Sequence, residues 1–180
     1  MILSNIDILK EIKAQEIIID PFDEEAVGPC SIDLTLGDTF LIFRHGHVLR
    51  PNDVTRIKEN SEIRCTEGGS FLLSPNQFVL ACTQEKIAIS KKIAATLEGK
   101  SSIARLGIVV HAAGLVNPGT GMKSPTTLTL EISQQANSPV ELVPGMSIIQ
   151  IIFHRLSSEA SIGYDDREKS KYIGLDKPIV

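Results

Sequence analysis

Hydrophobic and polar positions change period several times along the chain, and the changes divide it into elements. Ser4 followed by Asp7 reads as a capping box, and Ile6, Leu9 and Ile12 then repeat at helical spacing, which predicts a short N-terminal helix. A β-branched run, Ile17-Ile18-Ile19, follows and stops at Asp20-Pro21. From Ser31 the period falls to two. Ile32, Leu34 and Leu36 alternate with Asp33 and Thr35, Gly37-Asp38 makes a turn, and residues 40–43 read as a second strand. Residues 44–67 are polar and read as a surface excursion. Residues 71–73, 78–82 and 86–89 read as three short strands, residues 93–98 as a strand or a helical turn, and Ile103, Ala104 and Leu106 as a short amphipathic piece before a strand over 108–110. The clearest alternation spans 126–132, with Leu128, Leu130 and Ile132 on one side and Thr127, Thr129 and Glu131 on the other. Strands over 140–142 and 148–153 complete the set. Many short, punctuated strands with little helix predict a mostly-β sandwich or barrel. The 180 residues suit a single domain spanning 1–180, with a polar tail from about residue 163 expected to be mobile.

Composition narrows the picture. Only 4% of residues are aromatic and none is Trp, so the core must be filled by Ile, Leu, Val and Ala, which leans further toward sheet. The formal net charge of −4 gives no cationic face of the kind that coats nucleic acid. No apolar run approaches the length of a membrane span, and Met1-Ile2-Leu3-Ser4 lacks the basic and apolar regions of a signal peptide. Cys30, Cys65 and Cys82 are odd in number and widely spaced, with no C-x-x-C, so they encode neither a disulfide framework nor a zinc knuckle. Reduced thiols in a cytoplasmic protein are the expectation.

Three places could carry chemistry. In Gly99-Lys100-Ser101-Ser102-Ile103-Ala104-Arg105 a glycine turn, two hydroxyls and two cations sit where a helix starts. Free backbone N–H groups there attract phosphate oxygens; a plain N-cap by Ser101 or Ser102 explains the same residues. Glu131 lies mid-strand on the polar side, which also fits a carboxylate facing water. Tyr164 to Tyr172 carries Arg167, Lys169 and Lys171 near two rings, which fits closure over an anion or simply a charged C-terminus. Other chemistries fail on residues. A zinc-dependent deaminase needs H-x-E and P-C-x-x-C, and a P-loop needs G-x-x-x-x-G-K-[ST]. A hydrolase elbow needs G-x-S-x-G. None occurs. The histidines 45, 47, 111 and 154 form no H-E-x-x-H, and His45-x-His47 alone is a weak metal signal.

Read together, these segments resemble the dCTP deaminase family. Residues 99–107 are similar to its G-R-S-S-x-x-R-x-G segment. Pro29-Cys30-Ser31-Ile32-Asp33-Leu34-Thr35-Leu36-Gly37 resembles P-x-S-x-D-x-x-L-G, Ala113-Gly114-Leu115-Val116-Asn117-Pro118-Gly119 resembles A-G-x-[IV]-D-P-G, and Leu128-Thr129-Leu130-Glu131 resembles the strand with the catalytic Glu. Met1-Ile2-Leu3-Ser4, Pro144-Gly145-Met146, and Tyr164 with Lys171 extend the match in order over nearly the whole chain. The resemblance implies a distorted β-sandwich of jelly-roll type, the dUTPase-like β-clip, assembled as a homotrimer with sites at subunit interfaces. It implies conversion of dCTP to dUTP and ammonia with no catalytic metal, Mg²⁺ accompanying the triphosphate. Carried over, Glu131 is the general base on the attacking water, Ser101 bonds that water or the exocyclic nitrogen, and Ser102, Lys100, Arg105 and Lys171 bind phosphates. Tyr164 contacts sugar or phosphates, the backbone at Ala113 reads the pyrimidine, and Asn117 meets the sugar.

The match has departures. Lys100 stands where the family has Arg, which loses a bidentate fork to phosphate. Asn117 stands for Asp and Leu175 for Gln, and extra length, residues 120–125, lies between Asn117 and Glu131. The short Arg105-to-Asn117 spacing, with its Ala112-Ala113-Gly114 loop, resembles dUTPases and bifunctional deaminase–dUTPases. Two other readings therefore stay open: a dUTPase or bifunctional enzyme releasing pyrophosphate, and a nucleotide-binding regulator that kept the fold and lost the chemistry.

Overall fold

The computed structural model describes residues 1–110 and 113–179. Helix α1 (Asn5–Lys13) is capped by Ser4, whose hydroxyl accepts the Asp7 N–H and donates to the Asp7 carboxylate. The helix is short, and its buried face differs from the expected one. Ile8 and Glu11 face inward with Ile12 half-buried behind them, while Ile6 is 74% exposed. Glu11 can occupy a core-facing position because Arg155 pairs with it.

The strands follow in chain order: β1 (Ile17–Asp20), β2 (Ile32–Thr35) and β3 (Thr39–Phe43). The polar excursion is more ordered than its pattern predicts. It contains helix α2 (Val54–Glu59), capped by Asp53, and strand β4 (Ser61–Cys65), which pairs antiparallel with β3. β4 is a mostly exposed edge strand, so no buried face marks it in the sequence. After β5 (Phe71–Leu73), the two short strands expected over 78–82 and 86–89 are one, β6 (Phe78–Ile89). Next come β7 (Ile93–Gly99), a strand rather than a helical turn, helix α3 (Ser101–Ala104), β8 (Ile108–Val109) and β9 (Leu115–Val116). The chain continues through β10 (Thr126–Gln134), β11 (Val140–Leu142) and β12 (Ser147–Arg155), and then a 3₁₀ turn, Tyr164–Asp166.

Among the described residues, one sheet runs β4-β3-β6-β10-β8, with β1 also on β6; a second runs β2-β12-β7-β9; β5 and β11 form a small pair. The sheets stay open rather than closing into a barrel. Their inner faces share one apolar core, including Leu34, Ile151 and Phe153 from the second sheet and Val79, Leu130 and Ile132 from the first. Phe40 and Phe71 stack at 4.2 Å between ring centres inside it. β6 lies at the centre, flanked by β10 on one side and by β3 and then β1 on the other. Its junction with β10 is irregular. Thr127 pairs with Lys86 and Thr129 with Cys82, so three residues of β6 oppose Leu128 alone. The Thr83 hydroxyl fills the gap: it accepts the Leu128 N–H at 2.9 Å and donates to the Glu85 carbonyl at 2.8 Å.

Candidate active site

Strand β10 places the central carboxylate. Its alternation sends Leu130 and Ile132 into the core and Thr129 and Glu131 to the opposite face, where Glu131 is half-buried opposite Leu80 of β6. That face borders a cavity of about 490 Å³. Glu131 and Thr129 supply polar wall from the strand, Asn117 from the loop after β9, and Tyr164 and Tyr172 from the C-terminal segment, with Ala113 lining it just before β9. Phe43, Phe78 and Leu80 close the side beyond Glu131 with apolar surface, and the Phe43 and Phe78 rings stack at 6.0 Å. A mostly apolar hollow with a few convergent polar groups is the usual form of a small-molecule site.

Asn117 is held from behind: its carbonyl accepts from the Thr120 N–H at 3.2 Å and from the Thr120 hydroxyl at 2.7 Å. Asn117 lines the cavity from that position. Leu175, one of the departures, lines the same wall. Its backbone joins it to β10, where its N–H donates to the Thr126 hydroxyl at 2.9 Å and its carbonyl accepts from the Thr127 N–H at 2.9 Å. The Tyr164 N–H donates to the Pro118 carbonyl at 2.7 Å.

The second cluster lies elsewhere. Lys100, not a serine, is the N-cap residue of α3 and makes no side-chain cap, which removes the plain N-cap explanation of Ser101 and Ser102. Both serines are exposed in the first turn, Arg105 is exposed just after it, and Ile103 anchors the turn in the core. The Lys100 ammonium donates to the Asp33 carboxylate, so its charge is already partnered within the chain. Lys100, Ser101, Ser102 and Arg105 are not among the residues lining the Glu131 cavity, and Lys171 is exposed beside Tyr172. The fold thus brings together Glu131, Ala113, Asn117 and Tyr164 and sets the cation–hydroxyl cluster apart. His111 and Ala112, part of the loop that the sequence likens to dUTPases, lie outside the described residues.

Sequence reading missed the apolar wall and Thr120. Phe78 and Leu80 carried a usable signal, since they share the Glu131 side of the sheet once the β6–β10 register is fixed. Thr120 carried none. Among the described residues no group of three or more His, Cys, Asp or Glu is arranged to hold a metal ion, and no helix is long and apolar enough to cross a membrane.

Comparison with known proteins identifies the family. A family model described as dCTP deaminase-like matches residues 2–156. The dCTP deaminase of Haloarcula marismortui is 40% identical over 99% of this chain and 92% of its own length. A protein of Streptomyces avermitilis named dCTP deaminase, dUMP-forming, is 42% identical over 99% of this chain and 93% of its own. Among solved structures, the 2′-deoxycytidine 5′-triphosphate deaminase of Agrobacterium tumefaciens superposes with a TM-score of 0.66 at 21% identity, a likeness of fold. It covers 86% of this chain, which spans about half of that structure's length, 48%. On the family match and on relatives about 40% identical along the whole chain, the protein belongs to the dCTP deaminase-like family.

Proposed function

We propose that the protein hydrolyses the exocyclic amine of dCTP, giving dUTP and ammonia, with Glu131 as the general base. The observation that carries this reading is the position of Glu131 in the wall of a cavity it shares with Ala113, Asn117 and Tyr164. Water has a pKa near 15.7, so a proton acceptor beside it must do what a bound zinc does in other deaminases. Glu131 takes a proton from water as the oxygen bonds to C4 of cytosine. It delivers that proton to N3, then takes the proton of the new C4 hydroxyl and passes it to the exocyclic nitrogen; the C4–N bond breaks, and ammonia leaves as the C4 carbonyl forms. No metal takes part in that step; Mg²⁺ enters with the triphosphate as part of the substrate. The Ala113 backbone faces the pyrimidine, Asn117 the sugar, and Tyr164 the sugar or phosphates, with Lys171 reaching phosphates from the same segment.

Ser101, Ser102, Lys100 and Arg105 act in this reading on the site of a neighbouring subunit in a homotrimer. Their absence from the wall of the Glu131 cavity supports that, as do exposed apolar side chains such as Leu72 and Leu106 that a neighbour would cover. A phosphate would then compete with Asp33 for Lys100. A cytoplasmic location belongs to the same reading.

A second reading has specific support. Relatives such as those of Streptomyces avermitilis and Rhodococcus erythropolis are named dUMP-forming. Asn117 favours the first reading, because an amide keeps hydrogen-bonding capacity but cannot take a proton as a base. Incubation with dCTP, and separately with dUTP, each with Mg²⁺, tests the two: dUTP and ammonia without pyrophosphate support the proposal. Pyrophosphate from dUTP at a rate comparable to deamination supports the second reading, and no ammonia from dCTP refutes both.

A further inference from the structure

The extra residues 120–125 meet the segment after β12 in a set of fitted contacts. Asp165 is 5% exposed, and its carboxylate accepts two backbone N–H groups of that loop, Gly121 at 3.2 Å and Lys123 at 3.0 Å. The Lys123 ammonium folds over the junction, donating to the Asp165 carbonyl at 2.7 Å and pairing with Asp166 at 3.1 Å. Two glycines shape the receiving side. Gly121 has φ +76° and lies so close to β6 that a Cβ would stand 2.2 Å from the Ile87 carbonyl oxygen. Gly119 has φ +79°, and a Cβ there would stand 2.5 Å from the Gly163 Cα. This close backbone approach lets the Tyr164 N–H reach the Pro118 carbonyl. The segment is joined to the sheet again at Leu175, through Thr126 and Thr127. Between the two attachments lies Tyr172, which with Tyr164 lines the cavity.

We infer that residues 120–125 form a cradle for this chain's own C-terminal segment, and that Asp165 is the positioning residue that seats it and so fixes Tyr164 in the cavity wall. A buried carboxylate facing two N–H donors is satisfied only while the segment is docked, and undocking leaves it to find water in exchange. The docking itself is independent of the proposed chemistry; the consequence for nucleotide binding rests on it.

The test uses the full chain and the variants D165N and D165A, with D166N as the control that loses only the exposed pair with Lys123. Trypsin cleavage after Arg167, Lys169 and Lys171, followed by mass, reads docking; steady-state kinetics with dCTP and Mg²⁺ read its effect. D165N puts an NH₂ against one of the two N–H donors, so cleavage is expected to accelerate at least about tenfold, the scale of one lost charge-assisted hydrogen bond in a local opening equilibrium. The melting temperature should stay near that of D166N. KM for dCTP is expected to rise about tenfold with kcat within about threefold, a split that a general loss of fold would not give. Cleavage at the wild-type rate in both Asp165 variants overturns the cradle. Faster cleavage with unchanged KM overturns the positioning role. If the wild-type protein does not deaminate dCTP, the proposed function fails while the cleavage rates still decide the docking.

Discussion

Replacing Thr83 with Val tests how the register of β10, the strand that carries Glu131, is kept. Thr83 is 1% exposed, and its hydroxyl is the acceptor for the Leu128 N–H and the donor to the Glu85 carbonyl at the one place where β6 and β10 fall out of step. Valine has nearly the same shape, so the change removes two hydrogen bonds and opens little space. The Leu128 N–H, three residues before Glu131, is then left buried without its acceptor, which costs about 1–3 kcal/mol, and the Glu85 carbonyl loses a donor worth about 0.5–1.5 kcal/mol. Together these give about 1.5–4.5 kcal/mol. In a chain of this length each kcal/mol lowers the melting temperature by about 2–4 °C, so thermal unfolding at matched protein concentration should show a fall of about 3–18 °C. Thr83→Ser keeps the hydroxyl and gives up one methyl, worth about 0.8 kcal/mol, so it should recover most of the loss. Melting of Thr83→Val within about 1 °C of wild type, or Ser no better than Val, would show that the hydroxyl does not complete this junction.

Other outcomes follow from single residues. Burial, with a smaller contribution from Asp38, pushes the Cys82 thiol up to about 11; alkylation at pH 8 should label exposed Cys30 and Cys65 in the native protein and Cys82 only after denaturation, and rapid native labelling of Cys82 would contradict its burial. Asn117→Asp should release more pyrophosphate from dUTP than wild type, because it places a carboxylate at a wall position of the cavity; a variant that releases no more than wild type would mean that the carboxylate alone is insufficient beside the 120–125 loop.

What could be read from the sequence was what a buried face enforces. Glu131 was legible because β10 alternates strictly from Leu128 to Ile132, and the same rule located β2. Where no face is buried, the pattern is silent: β4 is exposed nearly throughout and reads as loop. β6 read as two strands because Thr83-Gln84-Glu85 look like a turn, yet they are a bulge whose polar groups are satisfied by Leu128 and Thr35. The helix face was misread because Glu11 occupies an inward position through its pairing with Arg155. Asp165 is one of two adjacent aspartates in a charged tail, and only the fold of the 120–125 loop distinguishes it from Asp166. Local motifs likewise gave Ser101 and Arg105 as candidates without showing that they lie outside the wall of the Glu131 cavity, since that is a property of the sheet arrangement.

The most direct test is ammonia release from dCTP by wild type and by Glu131→Gln, measured together with the assembly state of each. Gln keeps the size and a hydrogen-bonding group and removes the base. A general base typically contributes about 10²–10⁴-fold, so the variant should assemble as wild type does while its rate falls at least about a hundredfold, with wild type releasing one ammonia for each dUTP formed. Deamination by Glu131→Gln at more than about a hundredth of the wild-type rate, a threshold set by the low end of that range, would contradict the assignment of Glu131 and with it the account of this cavity.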